Sequence, residues 1–252
     1  MENIVLPILP LIGLIGGFFS GLLGLGGGVI MLPLLTFVGG VPLKLATGTS
    51  LVHVFIASAT GMFSHHRGRM VDLKVGFILG IAGVIGGFVG SFLSVPLSTR
   101  SLEYIYLFVV MLAVILLFIP QKFDDKNYKK RDSNKLAGIA IGLGVGSLTG
   151  LLGVGGGFIM IPLMTYFLKI PLRVTIGTSL LIILIISLGT LGAKVEIGHV
   201  DLIITLLVIS GAVIGALLGA YVSRRTPVKF LRLILLSILV LILFTVGYKT
   251  FF

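Results

Sequence analysis

The sequence predicts an all-α integral membrane protein made of two inverted-topology repeats. Each repeat is expected to hold a re-entrant hairpin, formed by a broken helix, and three transmembrane helices. Three observations lead to this fold class: the composition, a glycine motif that occurs twice, and apolar segments that recur in the same order in both halves. Hydrophobic residues make up 57% of the chain and charged residues 11%, with a mean hydropathy of +1.22. Soluble domains carry about 25% charged residues, so this chain is predicted to lie in a membrane.

The glycine motif begins at Gly21 as GLLGLGGGVIMLP and returns from Gly150 as GLLGVGGGFIMIP. Each glycine costs about 1 kcal/mol relative to alanine inside a helix, so the triplet predicts that one helix ends and another begins. The new helix opens with amides that have no partner in the helix and with the positive end of its dipole, which together favour an anion. The alternative is that the glycines only allow helices to cross closely.

Five apolar segments precede a polar stretch and five follow it. The halves align at a constant offset of 129 from Gly21 to Leu117 without a gap, which indicates internal duplication. We therefore predict repeat 1 at 1–119, a basic cytoplasmic linker at 120–135 and repeat 2 at 136–252. The segments are predicted at 4–23, 29–39, 44–63, 71–95 and 98–119, and again at 136–152, 158–168, 173–193, 200–223 and 228–248.

The orientation of the repeats follows from the basic residues, because cytoplasmic loops carry the excess of Lys and Arg. With inverted repeats, 15 of the 19 basic residues fall on one side. Parallel repeats divide them almost evenly. The 15 residues are Arg67, Arg69, Lys74, Lys122, Lys126, Lys129, Lys130, Arg131, Lys135, Lys169, Arg173, Arg224, Arg225, Lys229 and Arg232.

Inversion requires an odd number of crossings in each repeat. The last three segments of a repeat supply three, so the first two must form a hairpin that starts and ends on one side. Segment 29–39 is too short to cross, since eleven residues rise about 16 Å against a hydrocarbon core of about 30 Å. Its irregular tip is tolerated only inside the protein or beside a cavity, and such broken helices near the midplane are typical of secondary transporters.

Two sets of groups are candidates for binding an anion. The first set is the backbone amides at the tips, and the second is the hydroxyls that begin the following segment. A bond to a carbonyl one turn back is the alternative role of these hydroxyls. The amides are those of Gly27, Gly28, Val29, Ile30, Gly156, Gly157, Phe158 and Ile159, and the hydroxyls are those of Thr47, Thr49, Ser50, Thr178 and Ser179. Ile176 at the position of Thr47 breaks the symmetry of this polar pocket.

His53 is the ionisable side chain expected near the centre of a span, and Ile182 is its counterpart. An intramembrane titratable group suggests a proton-linked role, and a neutral hydrogen-bonded histidine is the alternative. Lys44 and Arg173 are expected to snorkel to the interfaces, or to attract anions there. The carboxylates Asp72, Glu103, Glu196 and Asp201 all fall at segment ends, whereas a cation carrier needs them at the midplane.

Several classes of function are not expected. The chain has no cysteine and therefore no thiolate nucleophile. No carboxylate is expected near the centre of a span, and one central histidine alone does not support nucleophilic or two-carboxylate catalysis. We therefore predict no enzyme activity, no catalytic residue, no cofactor and no metal site. The net charge of +11 is interpreted as a topology signal rather than as nucleic-acid binding. A cleavable signal peptide is not expected, and the oligomeric state is left open, a homo-oligomer included.

The twin glycine motifs, each followed by M-[LI]-P and then G-T-S, resemble the sulfite exporter TauE/SafE family of bacterial membrane proteins. The resemblance covers nearly the whole chain and implies a multi-pass secondary transporter of the cytoplasmic membrane. Sulfite, thiosulfate and organosulfonates are the implied substrates, with a passive anion channel and a transporter of small carboxylates as alternatives. The motif positions that carry over are Gly24, Gly26, Gly27, Gly28, Pro33, Thr49 and Ser50, and Gly153, Gly155, Gly156, Gly157, Pro162, Thr178 and Ser179.

Overall fold

A computed structural model describes residues 5–119, 135–196 and 200–251. Within these ranges the chain forms ten α-helices and no strand. A 3-10 turn at Leu6–Ile8 precedes α1, and α2 continues as a π-helical turn at Leu34–Val38. The helices are α1 Leu9–Leu23, α2 Gly28–Pro33, α3 Leu43–Arg67, α4 Leu73–Leu93, α5 Thr99–Phe118, α6 Lys135–Leu152, α7 Gly157–Phe167, α8 Leu172–Glu196, α9 Leu202–Arg225 and α10 Val228–Phe251.

The predicted all-helical membrane fold is confirmed. In the described part of the chain, seven helical stretches are long and apolar enough to cross a bilayer, whereas Gly28–Val38, Leu136–Leu152 and Gly157–Phe167 are shorter. Three segments continue as helix at least three residues beyond their predicted ends: the one predicted to end at residue 63 runs to Arg67, and those predicted to end at 193 and 248 run to Glu196 and Phe251. The predicted linker lies outside the described residues except for Lys135, which begins α6.

Two of the segment-end carboxylates cap helices at equivalent positions. Asp72 precedes α4 and accepts a hydrogen bond from the Val75 amide at 3.2 Å. Asp201 precedes α9 and accepts one from the Ile204 amide at 3.0 Å. These side chains bind amides of the first helical turn, which have no partner within the helix. Their positions at helix starts explain why they lie away from the midplane.

Glycines bring the backbones of α1 and α9 into direct contact. A β-carbon added to Gly13, Gly17 or Gly21 would lie 1.9–2.3 Å from a backbone oxygen of α9. The partners are the carbonyls of Val208, Ala212 and Ala216 in the same order, so the two helices run parallel. The equivalent pair, α6 and α4, is built in the same way, with Gly142, Gly146 and Gly150 against Leu79, Gly83 and Gly87. Small residues of this kind let membrane helices approach closely.

The equivalent helices α3 and α8 run in opposite directions. Gly177 near the start of α8 lies against the Met70 carbonyl, just after the end of α3, and Gly61 in the second half of α3 lies against Leu180. Opposite directions for two helices related by the sequence repeat support inverted topology. The orientation of the repeats relative to a membrane stays a prediction.

The close packing of α6 on α4 leads to a test with a matched control. A β-carbon on Gly146 would lie 2.1 Å from the Gly83 carbonyl oxygen, whereas Gly144, two residues away on the same helix, has no atom within 4 Å of that position. We expect Gly146→Val to destabilise the detergent-solubilised protein by about 1–3 kcal/mol, the usual cost of overpacking, or to prevent folding. Gly144→Val is expected to keep the wild-type melting temperature. Equal melting temperatures for the two variants would contradict the packing.

Candidate functional site

Each glycine motif forms the tip of a helical hairpin. We call residues 24–28 the first tip and residues 153–157 the second tip. Between α1 and α2 the backbone takes positive φ angles, as it does between α6 and α7, and side chains other than glycine rarely adopt this conformation. The glycines with positive φ are Gly24, Gly26 and Gly27 in the first tip and Gly153, Gly155 and Gly156 in the second.

The two tips touch each other. A β-carbon on Gly28 would lie 2.3 Å from the backbone of Val154, and one on Gly157 would lie 2.6 Å from the backbone of Leu25. The side chains of Leu25, Val154 and Phe158 are fully buried. The residues predicted at the two tips are therefore brought together inside the protein.

One side chain from each repeat marks the centre of this contact. Val54 on α3 and Ile183 on α8 are equivalent positions, and each lies against both Gly26 and Gly155. Each tip is thus packed against the central helices of both repeats. The two short helices α2 and α7 begin at this centre and lead away from it.

The helix that opens at the first tip has one free amide fewer than expected. Gly27 is its N-terminal cap, with no side-chain hydrogen bond. The amides of Ile30 and Met31 both donate to the Gly27 carbonyl, at 3.1 and 2.9 Å. The prediction of a free Ile30 amide is therefore wrong, because the tight first turn satisfies it. Only the amides before Ile30 remain as candidate donors to a ligand.

The four matched hydroxyls lie near the tips but differ between the repeats. Thr178 accepts a hydrogen bond from the Asp72 amide at 2.8 Å, and Ser179 donates to the Gly24 carbonyl at 2.7 Å and to the Ile176 carbonyl at 2.9 Å. Thr49 and Ser50 are fully buried, and their hydroxyls have no hydrogen-bond partner. At these four positions the repeats therefore share residue types but not hydrogen bonds.

His53 lies between α1 and the first tip. Its Nε2 is 3.2 Å from the Gly13 carbonyl, and its Cε1 lies 2.7 Å from where a β-carbon on Gly27 would be. Because a carbonyl only accepts, Nε2 carries the hydrogen, and Nδ1 is an acceptor in the neutral ring. Nδ1 has no partner in the structure. The side chain is fully buried, as expected of a residue in the middle of a span.

His65 is a second buried histidine that the sequence analysis missed. It is 1% exposed, and its Nε2 lies 2.9 Å from the Gly21 carbonyl. Gly21 belongs to the last turn of α1, where the carbonyls receive no hydrogen bond from the helix itself. His65 donates to one of these carbonyls. The run His65-His66-Arg67 was a usable signal, because basic residues are common in the last turn of a helix.

A cavity of about 350 Å³ opens at the end of the bundle where α3 begins. We call this the cavity end, and the opposite end, which carries Arg67, Arg173 and Arg224, the basic end. The lining is mainly apolar, and its polar residues are Glu103, Thr36, Thr47 and Tyr106. The Tyr106 hydroxyl donates to the Val29 carbonyl at 2.7 Å. The lining residues are Leu32, Pro33, Thr36, Phe37, Gly40, Val41, Pro42, Leu43, Thr47, Leu102, Glu103, Tyr106, Leu152 and Val246.

Equivalent residues at the basic end are packed more tightly. Pro42 is exposed and Thr36 half-buried at the cavity end, whereas their counterparts Pro171 and Thr165 are buried. Four further equivalent pairs do not differ in burial: Ile170, Ile176, Leu231 and Leu235 are at most 2% exposed, and Val41, Thr47, Leu102 and Tyr106 are at most 5% exposed.

Two arginines bind backbone carbonyls at this end. Arg173 donates to the carbonyls of Arg224 and Thr226, both at 3.0 Å, and its snorkelling to the interface stays a prediction. Arg232 donates to the carbonyls of Leu117 and Ile119. Lys44, the counterpart of Arg173, is exposed, and Glu103 is the counterpart of Arg232. The two ends therefore have different structures despite the sequence repeat.

Comparison with known proteins identifies the family. The family described as "Sulfite exporter TauE/SafE" matches residues 9–246. The chain belongs to the TauE/SafE family. A relative described as "Probable membrane transporter protein YunE" of Bacillus subtilis is 30% identical, over 93% of this chain and 94% of the relative. A probable membrane transporter protein of Methanocaldococcus jannaschii is 29% identical, over 94% and 93%. No solved structure matches the chain.

Family membership decides the class of function. The TauE/SafE match and both relatives identify a multi-pass transporter of the cell membrane rather than an enzyme. In the described part of the chain, no group of three or more His, Asp or Glu residues is arranged to hold a metal ion. The paired tips, the hydroxyls beside them and the cavity are the candidate features for transport in this TauE/SafE protein.

Proposed function

We propose that this protein is a secondary transporter of a small sulfur-containing anion such as sulfite, thiosulfate or an organosulfonate. The meeting of the two helix-opening glycine tips inside the bundle carries this proposal. The family description supports a sulfur oxyanion as the substrate class. The proposed site contains the backbone of Gly26–Val29 and Gly155–Phe158, and the hydroxyls of Thr49, Ser50, Thr178 and Ser179.

The electrostatics of the tips favour an anion. Each helix N-terminus carries about half a positive charge, so two converging ends offset about one negative charge. The low dielectric of a buried site strengthens both interactions. Among the described residues, no Lys or Arg is buried, and the buried carboxylate, Asp72, caps α4. Backbone and hydroxyl donors therefore supply the attraction in this proposal.

Alternating access is the proposed mechanism, and the difference between the two ends supports it. In an inverted repeat, exchanging the conformations of the repeats closes one end and opens the other. Here the cavity end is open, whereas Arg173 and Arg232 tie helices together at the basic end. The exchange would open the basic end and bring Ser50 to the carbonyl of Gly153, as Ser179 now binds that of Gly24.

A flux assay in proteoliposomes tests the proposed function. Vesicles loaded with unlabelled sulfite, thiosulfate, sulfate or methanesulfonate are mixed with the labelled anion outside. A carrier produces transient accumulation of label above its external concentration, whereas a passive channel does not. We expect this counterflow with a sulfur anion and none with acetate or lactate. Uptake without counterflow would favour the channel, and counterflow with acetate or lactate alone would favour a carboxylate transporter.

The proposed inverted arrangement in the membrane predicts which positions an impermeant thiol reagent reaches. The chain has no cysteine of its own, so Asn127→Cys, Thr226→Cys and Arg100→Cys can each be labelled singly. In right-side-out cells, Arg100→Cys should react, and the other two should react only after permeabilisation. Reaction of Arg100→Cys and Thr226→Cys from the same face would contradict the arrangement.

His53 is proposed to link transport to protons, because its free Nδ1 becomes a donor when the ring is protonated. Transport of the anion should then increase as protonation of His53 increases, that is, as the pH falls. Gln in place of His53 still offers a donor to the Gly13 carbonyl but does not titrate, so His53→Gln should flatten the pH profile. His66→Gln, at an exposed position, is the control. An unchanged profile for His53→Gln would leave His53 as a packing residue.

A further inference from the structure

Buried polar atoms without a hydrogen-bond partner are concentrated in repeat 1. In the described part of the chain they belong to Ser20, Thr49, Ser50, His53, Ser58 and His65, with Thr205 as the exception in repeat 2. Ser50 and Ser58, both on α3, are fully buried. A buried hydroxyl without a partner is rare in proteins and costs free energy, so each one requires an explanation.

The sequence repeat provides an internal comparison for these two serines. Ser50 and Ser58 correspond to Ser179 and Ser187 on α8, which are also fully buried. Ser179 donates to the Gly24 and Ile176 carbonyls, and Ser187 donates to the Leu184 carbonyl at 3.0 Å. The same residue type at the same place is thus satisfied in one repeat and unsatisfied in the other.

The unsatisfied serines share one face of α3, and this face lies along the tips. Ser50, Val54 and Ser58 are spaced by four residues, so they stack on the same side of the helix. Val54 contacts both Gly26 and Gly155. The Ser58 Oγ lies 3.3 Å from where a β-carbon on Gly26 would be. The Ser58 hydroxyl therefore lies beside the first tip.

The same face leads to the cavity. Thr47, three residues before Ser50, lines the cavity and lies against Gly153 of the second tip. From Thr47 to Ser58 the helix rises about 16 Å, at about 1.5 Å per residue. One small anion does not span this distance, so the unpaired hydroxyls of Ser50 and Ser58 would be used in sequence. The Thr47 hydroxyl at the cavity already donates to the Lys44 carbonyl at 2.7 Å.

We propose that the anion passes from the cavity to the first tip along the Thr47–Ser50–Ser58 face of α3, and that Ser58 binds it there. The hydroxyl of Ser58 donates to an oxygen of the anion, beside the amides that open α2. A sulfur oxyanion fits because several of its oxygens accept hydrogen bonds at once, from the hydroxyl and from backbone amides. The inference rests on the proposed function and adds Ser58 to the site that the glycine tips define.

Binding measurements on purified protein test Ser58 against its own counterpart. Isothermal titration with sulfite, thiosulfate, sulfate and methanesulfonate gives the affinity of wild type, Ser58→Ala, Ser58→Thr and Ser187→Ala. We expect Ser58→Ala to weaken binding of the preferred anion at least tenfold. Ser187→Ala and Ser58→Thr should stay within about threefold of wild type, because the first removes a hydroxyl bonded within its own helix and the second keeps a donor.

The melting temperature without anion separates a binding role from a structural one. Ser58→Ala removes an unpaired buried hydroxyl, so we expect a melting temperature equal to or above that of wild type. A lowered melting temperature, or wild-type affinity in Ser58→Ala, would overturn the inference while leaving the proposed function intact. Absence of binding of all four anions by wild type would instead overturn the proposed function, and the inference with it.

Discussion

The contact between the two glycine tips is the constraint on which the rest of this structure depends. Gly28 lies against the backbone of Val154, and Gly157 lies against that of Leu25, with no room for a β-carbon at either place. Irregular backbone is tolerated inside a membrane protein only where protein or a cavity surrounds it. The long helices provide those surroundings: α3 and α8 enclose the tips through Val54 and Ile183, and the glycine contacts of α1 with α9 and of α4 with α6 hold the hairpins in place.

The second constraint is that two equivalent halves adopt different local structures. Arg173 and Ser179 are bonded to backbone carbonyls, whereas Lys44 is exposed and Ser50 has no partner. One end is packed and the other holds a cavity, a difference on which the proposed alternating access rests. The residues at equivalent positions also differ: Glu103 cannot donate to carbonyls as Arg232 does, so this position supplies no counterpart of the contact that ties α10 to α5 at the basic end.

Much of the fold could be predicted because its causes are local. Long apolar runs predict the spans, the glycine triplet predicts the break at Gly27, and the short segment at 29–39 predicts the hairpin. The rest depends on contacts that the pattern does not contain. His65 was missed because the segment was expected to end at residue 63, and the Ile30 amide was expected to be free because a tight turn at Gly27 is not visible in the sequence. The different states of Ser50 and Ser179 could not be predicted, since equal residues in a repeat give equal expectations.

The location of a bound anion decides whether the glycine tips form the binding site. A cryo-electron microscopy map of the protein with thiosulfate, or with selenate as a stronger scatterer, would show where the ligand lies. We expect density beside the glycine tips, within hydrogen-bond distance of the Ser58 hydroxyl or of the amides that open α2 or α7. Density confined to the wall of the cavity near Glu103, or at the lipid-facing surface, with none at the tips, would contradict this expectation.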